Sequence, residues 1–125
     1  MLEKEMAKID WINQKAMEIK NLVRGLNPIM GAYSFINGKK VKLWKVDNLS
    51  LGQLENEFPE VKEYSFKMKD VEPGTVLFSD DKKGLYIMAK DGIIKVLEIQ
   101  GENARKMNIQ DFLRGNKINA GEIFE

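Results

Sequence analysis

The chain has 125 residues, of which 43% are hydrophobic and 31% charged, so we expect one soluble globular domain. It contains neither Cys nor His, which excludes disulfides and thiolate or imidazole metal sites and removes the usual general base. We therefore expect no metal, no cofactor and no catalysis by this chain alone. No apolar run is long enough to span a membrane, and the absence of Cys fits a cytoplasmic location.

The net charge of +1 hides a gradient along the chain. Residues 1–46 hold nine Lys and Arg against four Asp and Glu, whereas residues 47–72 hold three against seven. The first third of the chain is therefore basic, and the segment that follows it is acidic.

An amphipathic helix is predicted after Asn13, which has the side chain of a helix cap. Gly25 suits the left-handed position that ends a helix, and Asn27-Pro28 prevents continuation. Lys20 and Arg24 lie one turn apart, away from the apolar stripe and near the negative end of the helix dipole. The apolar residues with helical spacing are Ala16, Ile19, Leu22, Val23 and Leu26.

A β-hairpin is predicted next, with Asn37-Gly38 at its turn because both residues of a type I′ turn need positive φ. The flanking runs are residues 32–37 and 39–46. Alternation divides the second strand into two faces. One face holds Val41 and Leu43, and the other holds Lys40, Lys42 and Trp44.

Residues 47–72 are less regular. Ser50 and Gln53 have the spacing of a capping box that starts a short helix through Leu54 and Phe58, which Pro59 would end. One further strand is indicated by the alternation of Tyr64, Phe66 and Met68.

The rest of the chain predicts three strands and a third helix. A turn at Pro73-Gly74 leads into a strand, the polar tip at residues 80–83 leads into another, and Asp91-Gly92 marks a second hairpin. Asn108 and Asp111 cap a short helix that Gly115 closes. We therefore predict a mainly β fold, a small open OB-like barrel with an N-terminal helix and a short C-terminal helix.

Few motifs carry chemistry. There is no Gly-rich phosphate loop, and the adjacent carboxylates Asp80-Asp81 fit a solvated turn better than a catalytic pair. The cations are either solvated faces of a sheet or a nucleic-acid surface with Trp44 among them. Trp44 itself fits a core or half-core position better than a stacking platform. The cations in question are Lys20, Arg24, Lys39, Lys40, Lys42, Lys45, Lys106 and Arg114.

Seven segments follow one another in a specific order: IDW (9–11), IKNLVRGLNPIMGAY (19–33), NGKKVKLWKV (37–46), PGTVL (73–77), DGIIKVLEIQ (91–100), KM (106–107) and DFLRGNKINAGEIF (111–124). Together they resemble the C-terminal domain of the methionyl-tRNA formyltransferase family. The resemblance implies an OB-like barrel that helps its enzyme hold initiator methionyl-tRNA during translation initiation.

The resemblance also implies what lies elsewhere in such an enzyme. A preceding catalytic domain takes a formyl group from 10-formyltetrahydrofolate with an Asn, a His and an Asp, and we expect this domain to be a partner absent from the chain. Residues 1–8 are then the end of a linker or an artificial start, and residues 9–125 form one domain. Residues 47–72 are longer and more acidic than we expect for the family.

By the same resemblance, the candidates for tRNA contact are basic residues in or beside matched segments: Arg24, Lys40, Lys42, Lys45, Lys106 and Arg114. Other matched residues have the character of capping, core and turn positions: Asp10, Trp11, Asn27, Pro28, Gly31 and Gly92. One alternative remains open: a structural or dimerisation module of a formyltransferase that acts on sugar nucleotides or on formyltetrahydrofolate. A free-standing small enzyme is disfavoured.

Overall fold

A computed structural model of the protein describes residues 7–26, 31–57 and 71–125. Six strands and three helices follow one another in that part of the chain. Their order is α1 (Ala16–Leu26), β1 (Ala32–Ile36), β2 (Lys39–Leu49), α2 (Leu51–Glu57), β3 (Val76–Asp80), β4 (Gly84–Met88), β5 (Ile93–Gln100), β6 (Met107–Asn108) and α3 (Ile109–Gly115).

The strands form one antiparallel sheet in the order β1-β2-β5-β4-β3, and β6 pairs with β5. The sheet curls toward closure through the C-terminal residues. The Val76 N–H donates to the Glu122 carbonyl at 2.8 Å on the β3 side, and the Glu125 N–H donates to the Phe35 carbonyl at 2.8 Å on the β1 side. The fold is the predicted small open barrel with an N-terminal helix and a short C-terminal helix. The two-residue β6 was not predicted.

The predicted linker overlaps the domain. Ala7 is buried, and the Ile9 N–H donates to the Tyr33 carbonyl at 2.9 Å, so residues 7–9 lie along the edge of β1. Trp11 is buried against Phe124, and its Nε1–H donates to Ser34 Oγ at 2.9 Å. Since β2 pairs with one side of β1, these contacts cover the other side, which would otherwise be an exposed strand edge.

The amphipathic stripe of α1 is confirmed, since Ala16, Ile19, Val23 and Leu26 are all buried. Its predicted N-cap is wrong, although the helix ends at Leu26, directly before Asn27-Pro28, as predicted. Asn13 precedes the helix and binds the Asp10 carboxylate.

The cap of α1 comes from elsewhere in the chain. The Ala16 N–H donates to Asp91 Oδ1 at 2.8 Å, across 75 positions of sequence. At the other end, Gly25 lies inside the helix without a positive φ, because α1 continues to Leu26. Asn27 and Pro28 lie outside the described residues.

Both predicted hairpins form, and their turns are of different types. Asn37 and Gly38 have φ of 52° and 77°, as a type I′ turn requires. Asp91 and Gly92 have no positive φ, so the second turn is of another type, closed by an Ala89 N–H to Gly92 carbonyl bond of 2.8 Å. This turn lies against the start of α1, since a Cβ at Gly92 would lie 3.4 Å from the Ala16 Cβ, at van der Waals distance.

Two capped helices are confirmed. Ser50 and Gln53 exchange the two bonds of a capping box at 2.7 and 3.2 Å. The Asn108 side chain accepts the Asp111 N–H at 2.8 Å, and α3 ends at Gly115. The predicted continuation through Phe58 and Pro59, and the strand at residues 64–68, lie outside the described residues. No helix in the described part of the chain is long and apolar enough to cross a bilayer.

Candidate nucleic-acid interface

A β-bulge in β2 sets the directions of the central candidate side chains. Val41 and Leu43 are buried and Lys42 is half-buried, as strict alternation requires. The register with β5 shifts between Leu43 and Val46, so that Trp44 and Lys45 both point away from the core. Without the bulge, alternation would have directed Lys45 inward.

Trp44 is half-buried, as predicted for a half-core position. Its Nε1–H donates to Gln100 Oε1 at 2.9 Å. Gly31 lies beneath the ring, since a Cβ at this position would approach the ring carbons to 3.1 Å. Gly31 also has a φ of +70°, which glycine adopts without strain, so both the backbone conformation and the nearby ring favour glycine at this position.

Cations from several elements surround Trp44. Lys42 Nζ and Lys106 Nζ lie 5.9 and 5.2 Å from the ring centroid. On the side of α1, Lys20, Arg24 and Lys45 line a cleft with the same tryptophan. We call this set, together with Lys40, the cationic face: Lys20, Arg24, Lys40, Lys42, Lys45 and Lys106.

Lys40 extends the cationic face toward β1. Its Nζ lies 4.4 Å from the centroid of the Tyr33 ring, and it lines a shallow pocket with Lys42 and Glu102. Glu102 Oε1 accepts the Lys40 N–H at 3.1 Å. One carboxylate therefore adjoins this part of the face.

Arg114 stands apart from the other five tRNA-contact candidates. It lies on α3 and forms an exposed ion pair of 2.8 Å with Asp111, one turn earlier. No described contact joins it to Trp44 or to the cationic face. The structure thus brings five of the six candidates together.

The described part of the acidic segment contacts the cationic face at one point. Asp47 accepts from Lys20 Nζ at 3.0 Å, and this hydrogen bond is the main reason that the pKa of Asp47 is lowered. The segment then turns away, because Leu54 of α2 is buried against Tyr86 and Ile93 at the far end of β2. Burial, with the nearby Glu57 charge, raises the pKa of Tyr86 to about 12.

The polar tip is a solvated turn. Asp80 Oδ1 accepts the N–H groups of Lys82 and Lys83 at 2.6 and 3.1 Å, and these bonds lower the pKa of Asp80. Among the described residues, no group of three or more acidic side chains could hold a metal ion.

Sequence reasoning missed three residues beside the cationic face. Tyr33 and Phe35 are half-buried on β1, with ring centroids 5.8 Å apart, and Lys8 Nζ lies 5.9 Å from the Phe35 centroid. The alternation in residues 32–36 was the available signal for the two rings. Lys8 has no local signal, because it reaches β1 through a bridge to Tyr33.

Comparison with known proteins identifies the family. The model of the formyl transferase C-terminal domain matches residues 1–117. The chain is 34% identical to the methionyl-tRNA formyltransferase of Ruminiclostridium cellulolyticum over 98% of its length, and 37% identical to that of Caldanaerobacter subterraneus subsp. tengcongensis over 100% of its length. It spans about a third of each relative, 34% in both cases.

Solved structures agree on the fold. HypX from Aquifex aeolicus in complex with tetrahydrofolic acid matches 90% of this chain and 17% of its own, with a TM-score of 0.63 and 17% identity. That likeness concerns architecture alone. The family model and the relatives show that this chain belongs to the family of formyltransferase C-terminal domains.

Proposed function

We propose that this domain binds initiator methionyl-tRNA as the accessory part of a cytoplasmic methionyl-tRNA formyltransferase. The observation that supports the proposal is the convergence of cations from α1, β2 and the β5–β6 loop around Trp44. The relatives bear the name of that enzyme. Catalysis and 10-formyltetrahydrofolate binding belong to the part of the relatives that this chain does not span.

Binding through such a face is electrostatic and tolerant of sequence. Each phosphate that a Lys or Arg neutralises releases condensed counterions, so affinity falls as salt rises. With four or five phosphates contacted, log affinity falls with log salt at a slope of about −4. The isolated domain binds weakly, because the rest of the enzyme supplies further contacts.

The proposal is tested by a charge-reversal pair. Lys42→Glu with Lys45→Glu places two carboxylates beside Trp44, so we expect weaker binding of labelled initiator tRNA and a slope nearer to about −2. Fluorescence anisotropy at several salt concentrations measures both. The control is Lys82→Glu with Lys90→Glu, which makes the same charge change at exposed turns of β3–β4 and β4–β5.

Equal loss of binding in the two double variants would show that net charge alone matters, and equal binding by wild type and the Lys42/Lys45 variant would overturn the proposal. We also expect the purified chain to transfer no formyl group from the donor to charged initiator tRNA. Measured turnover would contradict the proposal that catalysis belongs to the part of the enzyme that this chain does not span.

A second function is favoured by a different surface. Ile12 and Ile123, which are 69% and 46% exposed, line a groove with Trp11, Pro73 and Phe124. A structural or dimerisation module of a related formyltransferase would use such a surface against the remaining two thirds of its enzyme or a second copy. This alternative predicts no salt-dependent binding of tRNA. It also predicts that Ile12→Glu changes the self-association of the chain, which light scattering measures.

A further inference from the structure

The outward side of β1 and of the first half of β2 alternates aromatic rings with ammonium groups. Tyr33 lies opposite Lys42 in the register of the two strands, and Phe35 lies opposite Lys40. Trp44 continues the row beyond Lys42, over Gly31. We call the rings Tyr33, Phe35 and Trp44, with their lysines, the aromatic strip.

Each ring of the aromatic strip has an ammonium group nearby. The Nζ atoms of Lys8 and Lys40 lie 5.9 and 4.4 Å from the centroids of Phe35 and Tyr33 respectively. Trp44 has two, from Lys42 and Lys106. All three rings are half-buried, so each keeps part of its surface in contact with solvent beside these ammonium groups.

The geometry of the strip suits a single strand better than a duplex. Residues two apart on a strand are separated by about 6.7 Å, so Tyr33 and Phe35 follow one another along β1, with Lys42 and Lys40 opposite them on β2. A duplex keeps its bases stacked inside and presents only phosphates and groove edges. An unpaired segment can place bases on aromatic faces while its phosphates meet the ammonium groups.

We propose that the aromatic strip binds unpaired nucleotides of RNA, with bases stacked on Tyr33 and Phe35 and phosphates held by Lys8, Lys40 and Lys42. This assignment rests on the proposed function and specifies which part of an RNA the domain holds. The ammonium groups leave the ring faces for the phosphates when a base arrives. Carboxylates bound the strip at Glu102, beside Lys40, and at Glu125, whose backbone pairs with Phe35.

The test compares a labelled oligouridine with a blunt RNA duplex of equal length, by anisotropy, at low and moderate salt. We expect the single strand to bind at least about fivefold more tightly than the duplex, since each stacked base adds at least that factor. The preference should persist at moderate salt, because stacking releases no counterions.

Matched variants separate stacking from charge. Phe35→Leu and Tyr33→Leu keep apolar bulk but remove the flat face, so each should weaken oligouridine binding about fivefold and leave the salt slope unchanged. Phe78→Leu is the control. The Phe78 ring also has a lysine ammonium nearby, that of Lys83 at 6.0 Å, but it lies on β3, outside the aromatic strip, so this variant should bind oligouridine as the wild type does. Phe35→Trp retains a ring and should retain binding, which covers the case in which a Leu variant does not fold.

The outcomes distinguish the two proposals. The strip proposal is overturned if the Leu variants bind oligouridine as tightly as the wild type, or if strand and duplex bind with equal affinity. In either case the tRNA proposal still stands if Lys42→Glu with Lys45→Glu weakens tRNA binding. If that lysine pair has no effect and the Leu variants weaken oligouridine binding, base stacking on the strip stands, the phosphate contact assigned to Lys42 is wrong, and the tRNA proposal fails. If neither set changes binding, both fail.

Discussion

Lysine side chains lie beside aromatic rings at both ends of β2, but the rings are partly exposed at one end and buried at the other. At its start, rings of β1 and β2 lie near Lys8, Lys40, Lys42 and Lys106, and the rings are partly exposed. At its end, Lys95 lies 5.6 Å from the Tyr86 ring, but Leu54 of α2 packs there and Tyr86 is buried. Whether a lysine-aromatic pair forms a binding surface or a core therefore depends on what packs over it.

The bulge between Leu43 and Val46 divides the two regions. Before it, β2 pairs with β1 on one side, and beyond it Lys20 of α1 binds Asp47. The charges of β2 itself follow the same division, because four lysines precede Val46 and Asp47 follows it.

The largest effect should come from removing the α2 anchor. Leu54→Ala deletes a fully buried side chain, so we expect a loss of about 2–5 kcal/mol in the free energy of unfolding, measured by urea titration. The pKa of Tyr86 should fall from about 12 toward its ordinary value as the ring becomes exposed, which alkaline absorbance would follow. Binding of tRNA should be unchanged in the folded variant, and a weakened affinity would deny that the two ends of β2 are independent.

A smaller loss of stability, with a loss of binding, should follow Trp44→Ala. The ring is half-buried, so we expect about 2 kcal/mol by the same urea titration. Lys42 and Lys106 lose the ring that lies between them, so tRNA affinity should fall as well. Trp44→Phe should preserve most of the stability and most of the tRNA affinity. Unchanged tRNA binding in Trp44→Ala would show that Trp44 is not part of the interface.

Glu102→Gln should strengthen RNA binding by about twofold, because it removes the carboxylate beside Lys40 while Oε1 can still accept the Lys40 N–H. Anisotropy at low salt is the measurement. Asp81→Asn, the same charge change at the exposed β3–β4 turn, should have less effect. A larger gain from Asp81→Asn would place the anion-binding surface elsewhere.

The smallest effect should come from Asp47. Its pKa is lowered in the folded state, so its contribution to stability is present above the ordinary Asp value and is lost as pH falls through the folded pKa. The pair with Lys20 is exposed, so Asp47→Asn should cost only about 0.2–1 kcal/mol at neutral pH and nothing in acid. Thermal melts at several pH values measure this, and a cost that persists in acid would assign the effect to packing.

Local sequence signals predicted the parts of the fold that depend on local physics. The stripe of α1, the Asn37-Gly38 turn and the two capping motifs each involve residues within four positions of one another, and all are confirmed. The failure at Asn13 has a cause that lies far along the chain, because the carboxylate of Asp91 caps α1.

Less of the candidate site could be predicted from the sequence. Basic composition and alternation identified Lys40 and Lys42, but the outward direction of Lys45 needs the bulge. Lys8 and Lys106 join the rings only through pairing with distant strands. Arg114 matched the same family pattern, and its position on α3 beside Asp111 separates it from the cationic face.

The bond from Asp91 to the first turn of α1 affects how variants of this family should be interpreted. The β4–β5 turn, distant in sequence, fixes the start of the helix whose other end presents Arg24. A substitution at Asp91 can therefore alter affinity for a polyanion by tilting that helix, with no contact between the mutated residue and the ligand. Mutational footprints on such domains will extend beyond the true area of contact.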